Sequence, residues 1–494
     1  MLFNSFAFLL FLPTVFLLYW FVFNWNVKLQ NLFIVAVSYL FYGWWDWRFL
    51  SLIAFTSFCS WLSGILIGRK RSSKGISEKA IREYCRWVVG INITLNLFIL
   101  GYFKYANFFI DNFVSLFKSF GVDLASPTLH LLLPVGISFY TFQALSYSID
   151  VYKGKLEPTK DIVSFFAFVS FFPQLVAGPI ERATHLLPQF YKPRIFNYAE
   201  ALDGSRQILW GFFKKVVVAD NCALVANAVF SNVDTAEPSA LLLGALMFTF
   251  QIYGDFSGYS DIALGTAHLF NISLMRNFNV PYFSRDIAEF WRRWHISLNT
   301  WFRDYIYIPL GGSRCGKWIS LRNTMVIFIV SGFWHGANWT YIVWGIFHGL
   351  LFLPLLLMNK NRRYTDVVAK DRLLPSMLDI VNISSTFFFV MLGWIVFRSS
   401  DISQAWFFLT RMFSAELVGS PNLDLLGLGS SITLGCFVFI ILMTAVEWIQ
   451  RDREHGLDIG WIKYPVLRRS IYMGVAWIIL FFMGVQETFI YFQF

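Results

Sequence analysis

Arg322-Asn-Thr-Met-Val-Ile-Phe-Ile-Val-Ser-Gly-Phe-Trp-His-Gly-Ala-Asn-Trp-Thr-Tyr-Ile-Val-Trp-Gly-Ile-Phe-His-Gly-Leu-Leu-Phe-Leu-Pro-Leu-Leu-Leu-Met358 carries one charged side chain, at its first position. A membrane-crossing helix needs about 20 apolar residues, within a range of about 17–25. The run is too long for one span and short for two. Gly332, Gly336 and Gly345 lie inside it, and His335 sits beside the second of them. Glycine frees the backbone for a break and for close approach, so the spacing predicts a broken or strongly bent helix. Irregular backbone at membrane depth is tolerated only where it is buried in protein or lines a water-filled cavity. One stretch thus predicts a membrane-embedded helical protein with a polar residue at an interruption.

The rest of the 494-residue chain agrees. Hydrophobic residues make up 57% and charged residues 14%, against about 45–50% and about 25% in soluble domains on a closely similar grouping. Its 57 Phe, 21 Tyr and 20 Trp exceed what the interior of a soluble globule of this size can hold. Disorder, a secreted disulfide scaffold and a nucleic-acid binder are excluded as readings of the whole chain. Near-spanning apolar runs occur at about 1–23, 30–45, 49–68, 87–103, 131–148, 162–178, 238–254, 322–358, 378–397, 430–448 and 471–493. The expectation is an all-α, polytopic transmembrane bundle of roughly 10–12 spans, forming one body over residues 1–494. Segments 179–230 and 279–320 are too polar to span and too apolar for free loops, as interfacial or re-entrant helices are. The five cysteines have no metal-like spacing, and Cys59 and Cys436 read as small hydrophobes.

The net charge of +10 is concentrated in short loops. Arg69-Lys70-Arg71, Lys74, Lys79, Arg82 and Arg86 form one basic cluster, and Arg362, Arg363, Lys370 and Arg372 another. The positive-inside rule makes such loops cytoplasmic. Three apolar runs precede the first cluster, which puts the N-terminus outside. Met1 to Phe23 has no basic start and no small-residue cleavage site, so it reads as a retained span.

Ionisable groups within apolar runs are functional candidates because each is costly to place there. Drawn as one helix, Ala288-Glu-Phe-Trp-Arg-Arg-Trp-His-Ile-Ser-Leu-Asn-Thr-Trp-Phe-Arg-Asp304 puts Trp291, His295, Leu298 and Phe302 on one face. Glu289 then reaches Arg293 at i+4. His295 is either a packing histidine or a group aimed at a reaction; spacing leaves both open. His335 likewise reads as a helix-bridging histidine or as a general base kept neutral by desolvation. His348 reads as structural. Asp255 and Asp261 invite helix capping or an arginine partner, with orientation of a histidine or binding of a cation as the alternatives. Lys214 and Lys215 suit anionic headgroups or the phosphates of a ligand. There is no Gly-x-Ser-x-Gly elbow, His-Glu-x-x-His, P-loop, dinucleotide fingerprint or Cys-x-x-Cys. A histidine-centred transfer remains, with a polytopic transporter or flippase as the alternative; the latter should show internal repeats, and none is visible.

Several long motifs in one order resemble the membrane-bound O-acyltransferase family in its bacterial branch. They are Pro134-Val-Gly-Ile-Ser-Phe-Tyr-Thr-Phe-Gln143, Phe171-Phe-Pro-Gln-Leu-Val-Ala-Gly-Pro-Ile180, Tyr253-Gly-Asp-Phe-Ser-Gly-Tyr-Ser-Asp261, Asn277-Phe-Asn-Val-Pro-Tyr282, Glu289 to Arg314, and Gly332-Phe-Trp-His-Gly-Ala-Asn-Trp339. Phe333 departs from the alginate-type pattern, which has Leu there, and His268 to Arg276 follows the branch poorly. The resemblance implies that His335 is the catalytic histidine in a tunnel across the membrane, with His295 the second characteristic histidine toward its cytoplasmic mouth. It implies that Trp291, Arg292, Asn299 and Asp304 shape the donor entrance, and that Trp334, Asn338, Asp255 and Ser257 line the substrate path. No bound cofactor or metal is implied. The implied donor is acetyl-CoA or another acyl thioester. The implied acceptor is an exported, alginate-like polysaccharide reached through a periplasmic serine-esterase-like (SGNH) partner. The implied setting is the bacterial inner membrane. Peptidoglycan O-acetylation and teichoic-acid D-alanylation are the alternatives within the branch.

Overall fold

The computed structural model describes residues 1–124, 129, 131–370, 372–414, 429–487, 489 and 490. Among them there is no β-strand, as expected of an all-α membrane bundle. Among the described residues, seven helices are long and apolar enough to cross a membrane by length and composition, and Phe6–Val22 and Val27–Gly43 are shorter apolar ones. The chain divides into two compact units, Met1–Ala201 with Thr266–Met275, and Leu202–Gly265 with Arg276–Phe494.

The first unit holds α1 (Phe6–Leu17), α2 (Val27–Gly43), α3 (Leu50–Arg71), α4 (Glu78–Ser119), α5 (Ile137–Tyr152), α6 (Ile162–Ser170) and the one-turn helices α7 (Phe172–Leu175) and α8 (Ala183–Leu186). Short polar side chains start its helices where the sequence supplies them: Asn26 accepts from the amides of Lys28 and Leu29, and Ser77 from that of Ala80. The first basic cluster ends α3 and begins α4. Where α3, α4 and α5 meet, Ser63 Oγ lies 2.8 Å from Ser148 Oγ, and Asn92 Nδ2 donates to Ser148 Oγ at 2.9 Å. Such side-chain bonds join helices where apolar burial alone gives no preference over lipid. The expected 162–178 run is interrupted: α6 stops at Ser170, and Pro173 sits in the first turn of α7.

The second unit comprises most of α9 (Tyr198–Phe212), a π-helical turn (Phe213–Ala219), α10 (Asp220–Ser231) and α11 (Pro238–Leu269) up to Gly265. It continues with α12 (Ile287–Arg293), α13 (Ile296–Phe302), a second π-turn (Arg303–Tyr307), α14 (Lys317–His335) and α15 (Trp339–Leu357). The last helices are α16 (Met377–Arg398), α17 (Ile402–Met412), α18 (Ser430–Ile449) and α19 (Pro465–Phe482). The most apolar window of α11 is 83% buried and that of α19 not at all. The first is therefore an internal spine and the second presents its surface to lipid. Glycine permits the spine's close packing: a Cβ on Gly258 would meet the Gly211 carbonyl oxygen at 2.7 Å. The expected 471–493 run ends its helix at Phe482, and its last residues, 491–493, lie outside the described residues.

Candidate active site

The overlong run that opens the sequence reading does break where the glycines permit. α14 ends at His335, Gly336 is extended, and Asn338 caps α15 by accepting from the Thr340 amide at 3.0 Å. Asn338 also donates from Nδ2 to the Ser400 carbonyl at 2.7 Å. The two helices pack as a tight hairpin. A Cβ on Gly345 would lie 2.3 Å from the Phe328 carbonyl oxygen, so larger residues would part the helices. His335 is thereby fixed at a helix end, buried, with Trp334, Trp344 and Phe397 around its ring at centroid distances of 5.1, 5.1 and 5.4 Å.

His295 also packs on Trp334, 6.0 Å between ring centroids. Phe256 at 4.7 Å and Phe278 at 6.5 Å also pack on its ring. Burial lowers its pKa to about 3, so the imidazole is neutral at ordinary pH. One indole therefore touches both histidines that the sequence singles out, and both are almost wholly enclosed.

The continuous helix drawn over 288–304 is corrected here. α12 ends at Arg293, Trp294 is extended, and His295 takes φ 45°, a left-handed conformation, before α13 begins. The break is made by a remote segment: Asn279 donates its amide to the Arg293 carbonyl, and Ile296 donates to the Asn277 carbonyl, both at 2.9 Å. Trp291 and His295 consequently face different neighbours; Trp291 packs on Phe328, Trp344 and His348. The expected Glu289–Arg293 pair is present at 2.9 Å, and Arg285 joins it at 3.0 Å.

The other candidates divide. Asn299 donates to the carbonyls of Trp291 and Trp294, both at 2.6 Å, and so fastens the break between α12 and α13. Arg292 points outward and donates to the carbonyls of Asn361 and Tyr364, holding the second basic loop. Asp304 pairs with the exposed Arg303 at 2.8 Å. His348 packs against Trp291, Trp344 and Trp394, and neither ring nitrogen has a hydrogen-bond partner among the described residues.

Asp255 and Asp261 cap nothing, because they lie inside α11. Their partners are lysines: Lys215 to Asp255 at 2.8 Å and Lys214 to Asp261 at 2.5 Å. Lys214 and Lys215 therefore do not reach headgroups or ligand phosphates. The π-turn buries both, and Lys215 also pairs with Asp220 at 2.8 Å. Ser257 bonds back to the Tyr253 carbonyl and lines a small polar cavity shared with Asn277, Arg276 and Glu447. Glu447, bonded by the Tyr253 hydroxyl at 2.8 Å, escaped the sequence reading. A lone carboxylate in the 430–448 run was the signal available.

The two buried histidines thus stand at helix breaks in a polytopic α-bundle, enclosed by aromatic rings. The profile of the MBOAT family, the membrane-bound O-acyltransferases, matches residues 157–398, which hold both histidines and the ion-pair cluster around Lys214 apart from Glu447. The chain is 40% identical to the probable alginate O-acetylase AlgI of Azotobacter vinelandii, over 84% of this chain and 78% of that one. It is 35% identical to the protein so named in Pseudomonas putida over the whole of both chains. It is 32% identical to the peptidoglycan O-acetyltransferase of Helicobacter pylori over all of this chain and 98% of that one. The chain belongs to the membrane-bound O-acyltransferase family and is a multi-pass membrane O-acyltransferase.

Proposed function

We propose that the protein carries an acetyl group from cytoplasmic acetyl-CoA across the bacterial inner membrane for O-acetylation of an exported, alginate-like polysaccharide. The observation that carries this reading is the pair of buried histidines packed against Trp334, in a chain whose relatives over most of its length are named for alginate O-acetylation. In this reading the thioester carbonyl lies beside His335, in a tunnel whose cytoplasmic mouth is toward His295. The neutral imidazole of His335 takes the proton of an acceptor hydroxyl as its oxygen bonds to the carbonyl carbon. The C–S bond then breaks, the thiolate receives the proton, and free CoA leaves. A site closed to water also limits hydrolysis of the thioester.

The acceptor on the outer side is a hydroxyl of a periplasmic serine-esterase-like partner, which passes the acetyl group to the polymer. Trp291, Arg292 and Asn299 serve the donor entrance indirectly, through the α12–α13 break and the loop that Arg292 fastens. The N-terminus lies on the periplasmic side. The relative named for peptidoglycan makes that polymer the second acceptor.

The test supplies membranes with acetyl-CoA labelled in the acetyl group and follows label into alkali-labile ester on fractionated glycan. Label in an alginate-like fraction that disappears with His335→Ala supports the reading. Label confined to peptidoglycan moves the acceptor, and label in both proteins alike removes His335 from the chemistry.

A further inference from the structure

His295 occupies a backbone conformation that a non-glycine residue adopts only when its surroundings impose it. Backbone bonds with residues 277 and 279 impose the conformation, and the side chain of Asn277 sets the state of the ring. Asn277, 1% exposed, receives the Ser297 backbone amide on Oδ1 at 3.3 Å and the Ser297 hydroxyl at 2.9 Å, and the same oxygen lies 3.1 Å from His295 Nδ1. A backbone N–H can only donate, so the atom it meets is the amide oxygen. A carbonyl oxygen can only accept, so His295 Nδ1 carries a proton. In a neutral imidazole, Nε2 is then the nitrogen with the lone pair. The Asn277 carboxamide is fixed from behind as well, because its Nδ2 faces Ser260 Oγ at 3.5 Å on α11.

We infer that Asn277 is the positioning residue for His295: it holds the ring as the Nδ1–H tautomer so that Nε2 is always the atom offered to accept a hydrogen from substrate. The inference rests on the proposed participation of His295 in acyl transfer. Metal-bound histidines are set by the same device, an oxygen on the far nitrogen fixing tautomer and ring angle, and loss of such a partner typically costs 10–100-fold. The charged groups sharing the small cavity beside Asn277 are Lys214, Asp261, Arg276, Glu447, Glu454 and His455. The closest pair among them, Lys214 with Asp261, is 2.5 Å apart. Asn277 itself is uncharged, so the residue that meets Nδ1 leaves the ring neutral. A carboxylate at this position would keep the acceptor oxygen and favour the imidazolium.

The test uses full-length protein in detergent with acetyl-CoA, its partner fraction and matched amounts of Asn277→Leu, Asn277→Asp and His295→Ala. Asn277→Leu is expected to lower kcat about tenfold or more with KM for acetyl-CoA little changed. Asn277→Asp is expected to recover most of that loss and to move the acid limb of the pH–rate profile upward. Wild-type kcat and pH profile in Asn277→Leu would overturn the inference, as would an Asn277→Asp protein as slow as Asn277→Leu with an unmoved profile. Ring-¹⁵N spectra of labelled histidine read the tautomer without turnover: an Nε2–H tautomer in the wild type overturns the inference whatever the kinetics. Full activity in His295→Ala, with the Nδ1–H tautomer found in the wild type, instead defeats the participation of His295 and removes the positioning role with it.

Discussion

Gly332 lies directly against the main chain of Tyr341: a Cβ at Gly332 would sit 2.2 Å from the Tyr341 carbonyl oxygen. Backbone cannot swing aside as a side chain can, so Gly332→Ala must push α14 off α15 three residues before His335. We expect a loss of stability of about 1–3 kcal/mol and an acetyl transfer rate reduced at least tenfold, in protein that still inserts. Thermal midpoints of detergent-solubilised protein and labelled-acetate transfer check this. An Ala variant with wild-type values on both would show that the hairpin does not fix His335.

Glu289 is 1% exposed and pairs with two arginines, Arg285 and Arg293, each of which also donates to the Asp366 carbonyl. Removing the carboxylate leaves two guanidiniums close together without their counter-charge, at a cost of about 3–5 kcal/mol. Glu289→Ala should lower the thermal midpoint and expose the 359–372 loop to trypsin at Arg362 and Arg363. Limited proteolysis at matched expression gives the answer. Unchanged cleavage would mean that Arg292 and Arg451 alone secure the loop through its carbonyls.

Lys214 lies 2.5 Å from Asp261 and 3.9 Å from Glu447. Lys214→Met strands two enclosed acids and should be among the most destabilising single changes in the chain. Adding Asp261→Asn should restore part of the loss. A double-mutant cycle on thermal stability is expected to give a coupling of about 0.5–3 kcal/mol; additivity within error would contradict the pairing.

The pH dependence of stability follows from the buried, neutral His295. Its folded pKa is depressed from 6.5 to about 3 by burial. The unfolded chain binds a proton below about pH 6.5 that the folded chain refuses, so stability falls on acidification through that window. The limiting slope is about 1.4 kcal/mol per pH unit. His185 works in the opposite sense: the hydrogen bond it donates to Glu181 raises its pKa, and its stabilisation is present at low pH and lost as pH rises through the raised value. Half-exposed, His185 contributes the smaller effect. Thermal midpoints measured from pH 7 to pH 5 should fall in the wild type and fall less in His295→Gln. Parallel curves would contradict a neutral, enclosed His295.

Much of the spanning architecture was legible because hydropathy and length are local properties. α3, α11, α16 and α18 stand close to where the apolar runs place them, and the break at Gly336 followed from an overlong run containing glycine. The break at His295 was not legible. Periodicity continues smoothly through Trp291, His295 and Leu298, and the two backbone bonds from residues 277–279 that interrupt it come from a segment 14 to 19 residues upstream. Lys214 and Lys215 were misread for a similar reason: their acids lie on α11, α10 and α18, which only folding brings to the π-turn. His335 and His295 were both visible as polar residues in apolar company. What no local pattern showed was that a single indole packs against both.

The central claim is that His335 performs acyl transfer to an exported glycan. Its most direct test is base-released acetate from cell-surface glycan in a deletion strain complemented with wild type or with His335→Ala, at matched membrane levels. The account predicts that acetate returns only with the wild type. Equal restoration by both proteins would contradict it.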